Sequence, residues 1–306
     1  MGRPPGVESG RRHTESPVRR TAASENRTVT RPPGRRHLSS RPASRLPLGA
    51  GAAEQPGGCP FSGYVPVVQF AGRPVESDVS AGCWIADAVA PFGSGVASLV
   101  PPVFDAYARV FHPATRYLDV RDVDVTWAEV AAANGRVAHP LMEWGSITGS
   151  MEFFENEDQD PLWQGAPARG HLPTTVADRV VQVLARHTAT PEDCWFGVWH
   201  GWGVLDGNGP TLRLPDREYW LVRGPIGLSA QNMAPEPSEQ SASLWWPADR
   251  AWFVATDIDL VTTYVGGSAG CIADLLATEG LETAPAEPGQ AVTWDGDTVN
   301  PPPDAR

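Results

Sequence analysis

Asp257 and Asp259 are the residues of this chain whose type and spacing come nearest to chemistry. They stand at i and i+2 of the run Trp252-Phe-Val-Ala-Thr-Asp-Ile-Asp259. On a strand that spacing sets both carboxylates on one face, about 7 Å apart from a rise of ~3.4 Å per residue. Paired acids at such a distance can divide the acid and base roles of a hydrolysis, or share a cation. The plainer reading, and the preferred one, is that they end the strand and cap the turn that follows, a place aspartate favours. His200, in Trp199-His-Gly-Trp-Gly203, ends an aromatic strand and is the best-placed histidine for proton transfer. Hydrogen-bonded among tryptophans, it would serve structure alone, and that reading is again preferred. Glu218 stands in reserve for the same acid–base role.

Binding chemistry has thinner signals. Gly266-Gly267-Ser268 separates a strand-like run from a helix, where backbone N–H groups and the helix dipole can hold an anion. The chain contains no lysine, so no Walker motif exists, and Ser268 as an ordinary N-cap explains the segment. Gly93-Ser94-Gly95 is an equally weak turn. Trp202, Trp245 and Trp246 adjoin glycine or proline and could line a sugar-binding or peptide-binding surface, with Arg250 and Arg217 stacked nearby. Core packing is preferred for the set. Glu155, Glu157, Asp158 and Asp160 lack the spacing of a twelve-residue calcium loop and read as a solvated acidic loop. Cys59, Cys83, Cys194 and Cys271 form no Cys-x-x-Cys pair, and no Gly-x-Ser-x-Gly elbow occurs. Neither a metal nor a cofactor is expected.

The elements that must hold these residues can be read from periodicity. Val103, Phe104, Tyr107, Val110 and Phe111 fall on one helical stripe behind Pro101 and Pro102, which predicts a helix near Val100 to Phe111. Thr126-Trp-Ala-Glu129 is a capping box opening a second helix that ends before Gly135. Thr174 or Thr175 should cap a third, running to about His187 with Val176, Val180, Val183 and Leu184 inward. Strands follow. In Cys194–Trp199, Trp195 and Trp199 oppose Phe196 and Val198, so both faces are apolar, as in a buried central strand. Thr211–Leu214, Arg217–Arg223, Trp252–Ile258 and Val261–Val265 supply more, and Ala269–Thr278 reads as a closing helix. The fold class is therefore α+β, with N-terminal helices, a central mostly antiparallel sheet and a C-terminal helix.

Composition divides the chain. Residues 1–58 hold eleven arginines against four glutamates and no aromatic residue, a net of +7, which leaves −19 for residues 59–306 of the chain's −12. The first part cannot bury enough apolar surface to offset its ordering entropy and is expected to be a disordered Arg/Pro-rich tail, or the product of a misplaced start. All twelve tryptophans lie beyond it. Residues 59–283 are expected to form one globular domain, with 284–306 an irregular proline-rich tail. With no stretch of about 18 apolar residues and no signal h-region, a cytoplasmic protein without membrane contact is expected. The acidic body and the lack of base-stacking aromatics in the tail argue against nucleic acid.

The segments CWFGVWHGWG, LPDREYWLVRGP and LWWPADRAWFVATDIDLVTTYVGG resemble a group of uncharacterised actinobacterial proteins over roughly residues 84–283. The resemblance implies no activity and transfers no catalytic residue. The leading expectation is a non-catalytic interaction module whose acidic, aromatic surface binds another protein, a basic one by charge. The alternative is a small hydrolase or carbohydrate-acting enzyme using Asp257, Asp259 and His200.

Overall fold

The computed structural model describes residues 69–151, 159, 162–203, 205 and 209–303, all within one compact unit, Gly63–Arg306. The basic tail and the acidic run Glu155, Glu157, Asp158 and Asp160 lie outside the described residues. The fold is α+β. In chain order it comprises β1 (Gln69–Phe70), β2 (Arg73–Pro74), α1 (Cys83–Ala86), β3 (Ala106–Phe111), β4 (Ala114–Arg116), β5 (Val123–Val125), α2 (Trp127–Ala133), α3 (Trp144–Thr148) and α4 (Thr174–Leu184). Then come β6 (Cys194–Trp199), β7 (Leu212–Leu214), β8 (Arg217–Gly224), β9 (Leu244–Pro247), β10 (Trp252–Ala255), β11 (Thr262–Gly267), α5 (Ala269–Leu276) and β12 (Thr283–Ala286).

Eight strands form one sheet in the order β12-β3-β11-β10-β9-β6-β8-β7, antiparallel at every step. Strand alternation sends its side chains into two layers. Ala108, Val110, Phe196, Val198, Trp220, Trp245, Trp252 and Val254 pack beneath α4 and α5. Tyr107, Tyr219, Leu221, Trp246, Phe253 and Tyr264 meet Ile85, Val96 and Val100 on the other face. A sheet covered on both sides needs apolar residues at both parities, which is why β6 and β10 read as continuous apolar runs. A third cluster, with Phe111, Trp127, Trp144 and Trp163 in a chain of tilted rings, lies around α2 and α3.

The helix expected near Val100–Phe111 is instead β3, wedged between β11 and β12. Its apolar residues satisfy a helical stripe only because both strand faces are buried; Tyr107 and Val110 belong to opposite layers. Val103, needed for that stripe, is exposed. The α2 capping box forms as expected, and Glu282 adds acceptors for the Trp127 and Ala128 N–H groups at 2.6 and 2.7 Å. Pro173, not a threonine, occupies the N-cap of α4, whose four expected apolar residues are buried. The boundary expected at residue 283 falls on the first residue of β12, and Ala284, Ala286 and Asn300 beyond it are buried.

Candidate functional site

The residues singled out for acid–base work are not brought together. β10 stops at Ala255, so Asp257 and Asp259 occupy the turn before β11 rather than one strand face. The Asp259 N–H donates to Asp257 Oδ1 at 3.0 Å, an Asx turn. Arg217 of β8 binds both, with Nε at 3.3 Å from Asp257 Oδ2 and Nη2 at 3.2 Å from Asp259 Oδ2. The Asp257 side chain is only 5 % exposed, so this guanidinium supplies the compensation a buried carboxylate requires. Asp257 sits beside Tyr219 and Leu244, on the layer that holds Trp246. His200 is exposed and stacks on Trp220, 4.6 Å between ring centroids, in the opposite layer. Glu218 accepts from Thr211 Oγ1 at 2.7 Å and pairs with Arg213.

The suggested binding residues are spread through the fold rather than gathered at one surface. Trp245 and Trp246 are buried; Trp202 is half-buried, edge-on to Trp199. Arg250 lies over Trp84 at 5.3 Å. Gly266 and Gly267 are ladder residues of β11, registered against Phe253 and Trp252 on one side and Tyr107 and Ala106 on the other. A Cβ at Gly266 would stand 2.5 Å from Phe104 Cδ2, so this glycine exists for close packing rather than anion binding. Ser268 caps α5 by accepting from the Cys271 N–H. Burial pushes the Cys194 thiol up to about 12 and that of Cys271 to about 11, which removes both as nucleophiles at neutral pH.

Two clefts bring charged side chains together from distant segments. The first, about 470 Å³, lies between the β4–β5 hairpin, the start of α4 and the segment Ser229–Ser241. Asp122 and Asp124 line it from the hairpin, and Glu236 and Glu239 from the segment Ser229–Ser241. All four carboxylates are exposed, no arginine among the described residues lines the cleft, and His171 Nε2 stands 3.8 Å from Glu239 Oε2. At its floor Gln240 is buried; its Nε2 donates to Gly170 O and Ser241 O, and its Oε1 has no donor among the described residues. Above the hairpin Tyr117, Leu118 and Val120 are 58, 50 and 94 % exposed.

The second cleft, about 340 Å³, opens where β3 and β11 meet α3 and the segment after β12. Arg109 projects from β3 on the same face as Tyr107 and Phe111, beside its cross-strand neighbour Tyr264. Its Nη1 donates to Met142 O at 3.0 Å and its Nη2 to Glu143 Oε1 at 2.9 Å. Burial pushes Glu143 up to about 7 despite the pull of the Arg109 charge, with Asp297 and Asp295 adding to the rise. Burial likewise raises the Tyr264 phenol.

Neither cleft is legible in the sequence, because its residues come from segments far apart along the chain. Arg109, alone inside the apolar run Tyr-Ala-Arg-Val-Phe, was the available signal: a charge among core residues needs a partner. No helix among the described residues is long and apolar enough to cross a membrane, and no group of three His, Cys, Asp or Glu residues among them could hold a metal ion. No family model, curated protein or solved structure matches the chain, so the reading of its clefts rests on their own chemistry.

Proposed function

We propose that the protein is a non-catalytic interaction module that receives cationic side chains of a basic protein partner in the acidic cleft. One observation carries this reading: four carboxylates converge from two separate segments on one cleft that no arginine among the described residues lines. Coulombic repulsion among them is relieved by a positive ligand, and the half charge at the α4 N-terminus is too small to do so. The −19 body adds long-range attraction for cationic partners and raises their association rate. Tyr117, Leu118 and Val120, exposed above the hairpin, supply apolar contacts of the kind protein partners bury. The enzymatic alternative draws no support from Asp257, Asp259 and His200, which sit on opposite layers of the sheet.

The test is fluorescence anisotropy with a labelled arginine-rich peptide. Replacing Asp122 and Asp124 by Asn and Glu236 and Glu239 by Gln should weaken binding at least about tenfold and flatten its salt dependence. A control neutralises four exposed acids elsewhere, Asp87, Asp105, Glu192 and Glu279, with equal change in net charge. Equal loss in both variants would refute the cleft and leave only bulk charge.

A further inference from the structure

The second cleft differs in character. Of the twelve arginines in residues 69–303, two, Arg109 and Arg169, line it and none lines the acidic cleft. Glu143 and Asp259 line it too, so here, unlike in the acidic cleft, an anion meets guanidinium groups as well as carboxylates. Arg109 is 2 % exposed, and its Nε–H has no acceptor among the described residues. Beside it Tyr264 presents its ring, 5.9 Å from the guanidinium carbon. The buried donor group of this cleft is therefore the Arg109 guanidinium. The walls are apolar: Trp144, Val261 and Val292, with Trp294 at the edge. Trp294 is 62 % exposed, the one exposed tryptophan among twelve. Indole left in water beside a cleft, while every other indole is at least partly buried, marks a surface awaiting apolar contact. The volume suits a ligand on the order of ten non-hydrogen atoms, at ~30 Å³ each.

We infer that this cleft binds a small carboxylic acid with an apolar body, its carboxylate directed to Arg109 and its body lying against Trp294 and the aliphatic wall. Glu143 makes such a ligand acceptable. The groups facing it are Arg109 from β3, Tyr264 from β11, and Asp295 and Asp297 from the segment after β12. His139 is held by Asp297 at 2.8 Å, and Arg169 and Asp259 stand at the mouth. A ligand carboxylate brings a further negative charge to this set and drives Glu143 to take a proton from solvent. The buried charge then remains balanced: Arg109 exchanges one carboxylate partner for another, and the protonated Glu143 becomes a donor. Because Glu143 sits at about 7 before binding, proton uptake accompanies binding above that pH.

Titration calorimetry with benzoate, phenylacetate and 4-methylpentanoate, each against its amide, tests this from about pH 6 to about pH 9 in buffers of differing ionisation enthalpy. The acids should bind and the amides should bind at least about tenfold more weakly. Affinity should fall by up to about tenfold per pH unit above 7, with up to one proton taken up. Glu143→Gln should bind the acids without that pH dependence, and Arg169→Met, at the exposed mouth, should weaken them several-fold. Neutralising the four acids of the first cleft should leave acid binding in place, which separates this site from the proposed partner surface. Failure of all three acids to bind, amides binding as well as acids, or a Glu143→Gln protein that keeps the wild-type pH profile would overturn the inference.

Discussion

His112 and Glu143 should act on stability in opposite directions as pH falls, and each can be unmasked by removing the other. His112 is fully buried between β3 and the rest of the core. Ala168 O, 2.7 Å from Nδ1, can only accept, so Nδ1 carries the proton and Nε2 accepts from Thr263 Oγ1 at 2.9 Å. Thr263 in turn accepts from Thr256 at 2.6 Å. Every group in this chain is satisfied by the neutral imidazole alone. Burial accordingly lowers His112 from 6.5 to about 3, and the Ala168 bond opposes that only in part. The unfolded chain takes up a proton on acidification through 6.5 while the folded chain does not. Stability from this group is therefore whole above pH 6.5 and drains away toward pH 3. Glu143 is raised from 4.5 to about 7, so the folded chain holds the extra proton between those values. Its contribution improves as pH falls through the same region.

At 1.36 kcal/mol per pKa unit, each group moves stability by about 2 kcal/mol between pH 6.5 and pH 5, with opposite sign. In the wild-type protein these two contributions should largely cancel. Equilibrium denaturation in guanidinium at half-unit steps reads the contributions directly. His112→Gln, which cannot titrate, should gain about 2 kcal/mol on acidification over this window. Glu143→Gln should lose about as much. Glu282, also raised by burial, contributes equally to both variants and cancels from their difference. The carboxylates held low by hydrogen bonds, such as Asp193 and Glu129, act mainly below the window. If His112→Gln and the wild type show parallel curves, His112 is charged in the fold and the hydrogen-bond assignment is wrong.

Two substitutions test the reading of residues that looked functional in the sequence. Arg217→Met leaves the buried Asp257 without its partner and should cost about 3 kcal/mol, whereas Arg213→Met, at an exposed pair with Glu218, should stay within about 0.5 kcal/mol; equal effects in denaturant melts would contradict the structural role of Asp257. Gly266→Ala drives a methyl into Phe104 and Val100 and should cost about 1–3 kcal/mol, and a neutral result would show that the β11 glycines are not there for packing.

What could be read from the chain and what could not divide along a physical line. β6, β8 and β10 declared themselves because a doubly covered sheet writes apolar residues at both parities, bounded by turn residues such as Pro215-Asp216 and Pro247-Ala248-Asp249. The α2 capping box and the Ser268 cap are local hydrogen bonds within three residues, and local bonds are spelled out locally. β3 failed for the same reason that β6 succeeded: with both faces buried, its residues also fit a helical stripe, and only pairing with β11 and β12, more than 150 residues onward, decides between them. The clefts lie further beyond reach, since each is assembled from three or more segments distant along the chain. One kind of residue crosses that barrier. An arginine inside an apolar run must find a carboxylate or carbonyls wherever the fold places them, because desolvating the charge otherwise costs several kcal/mol. Arg109 finds Glu143, Met142 and the ring faces of Phe111 and Trp127, all outside its own strand pairing except Phe111. The buried charge is thus both the least explicable residue of β3 as sequence and the anchor of the second cleft.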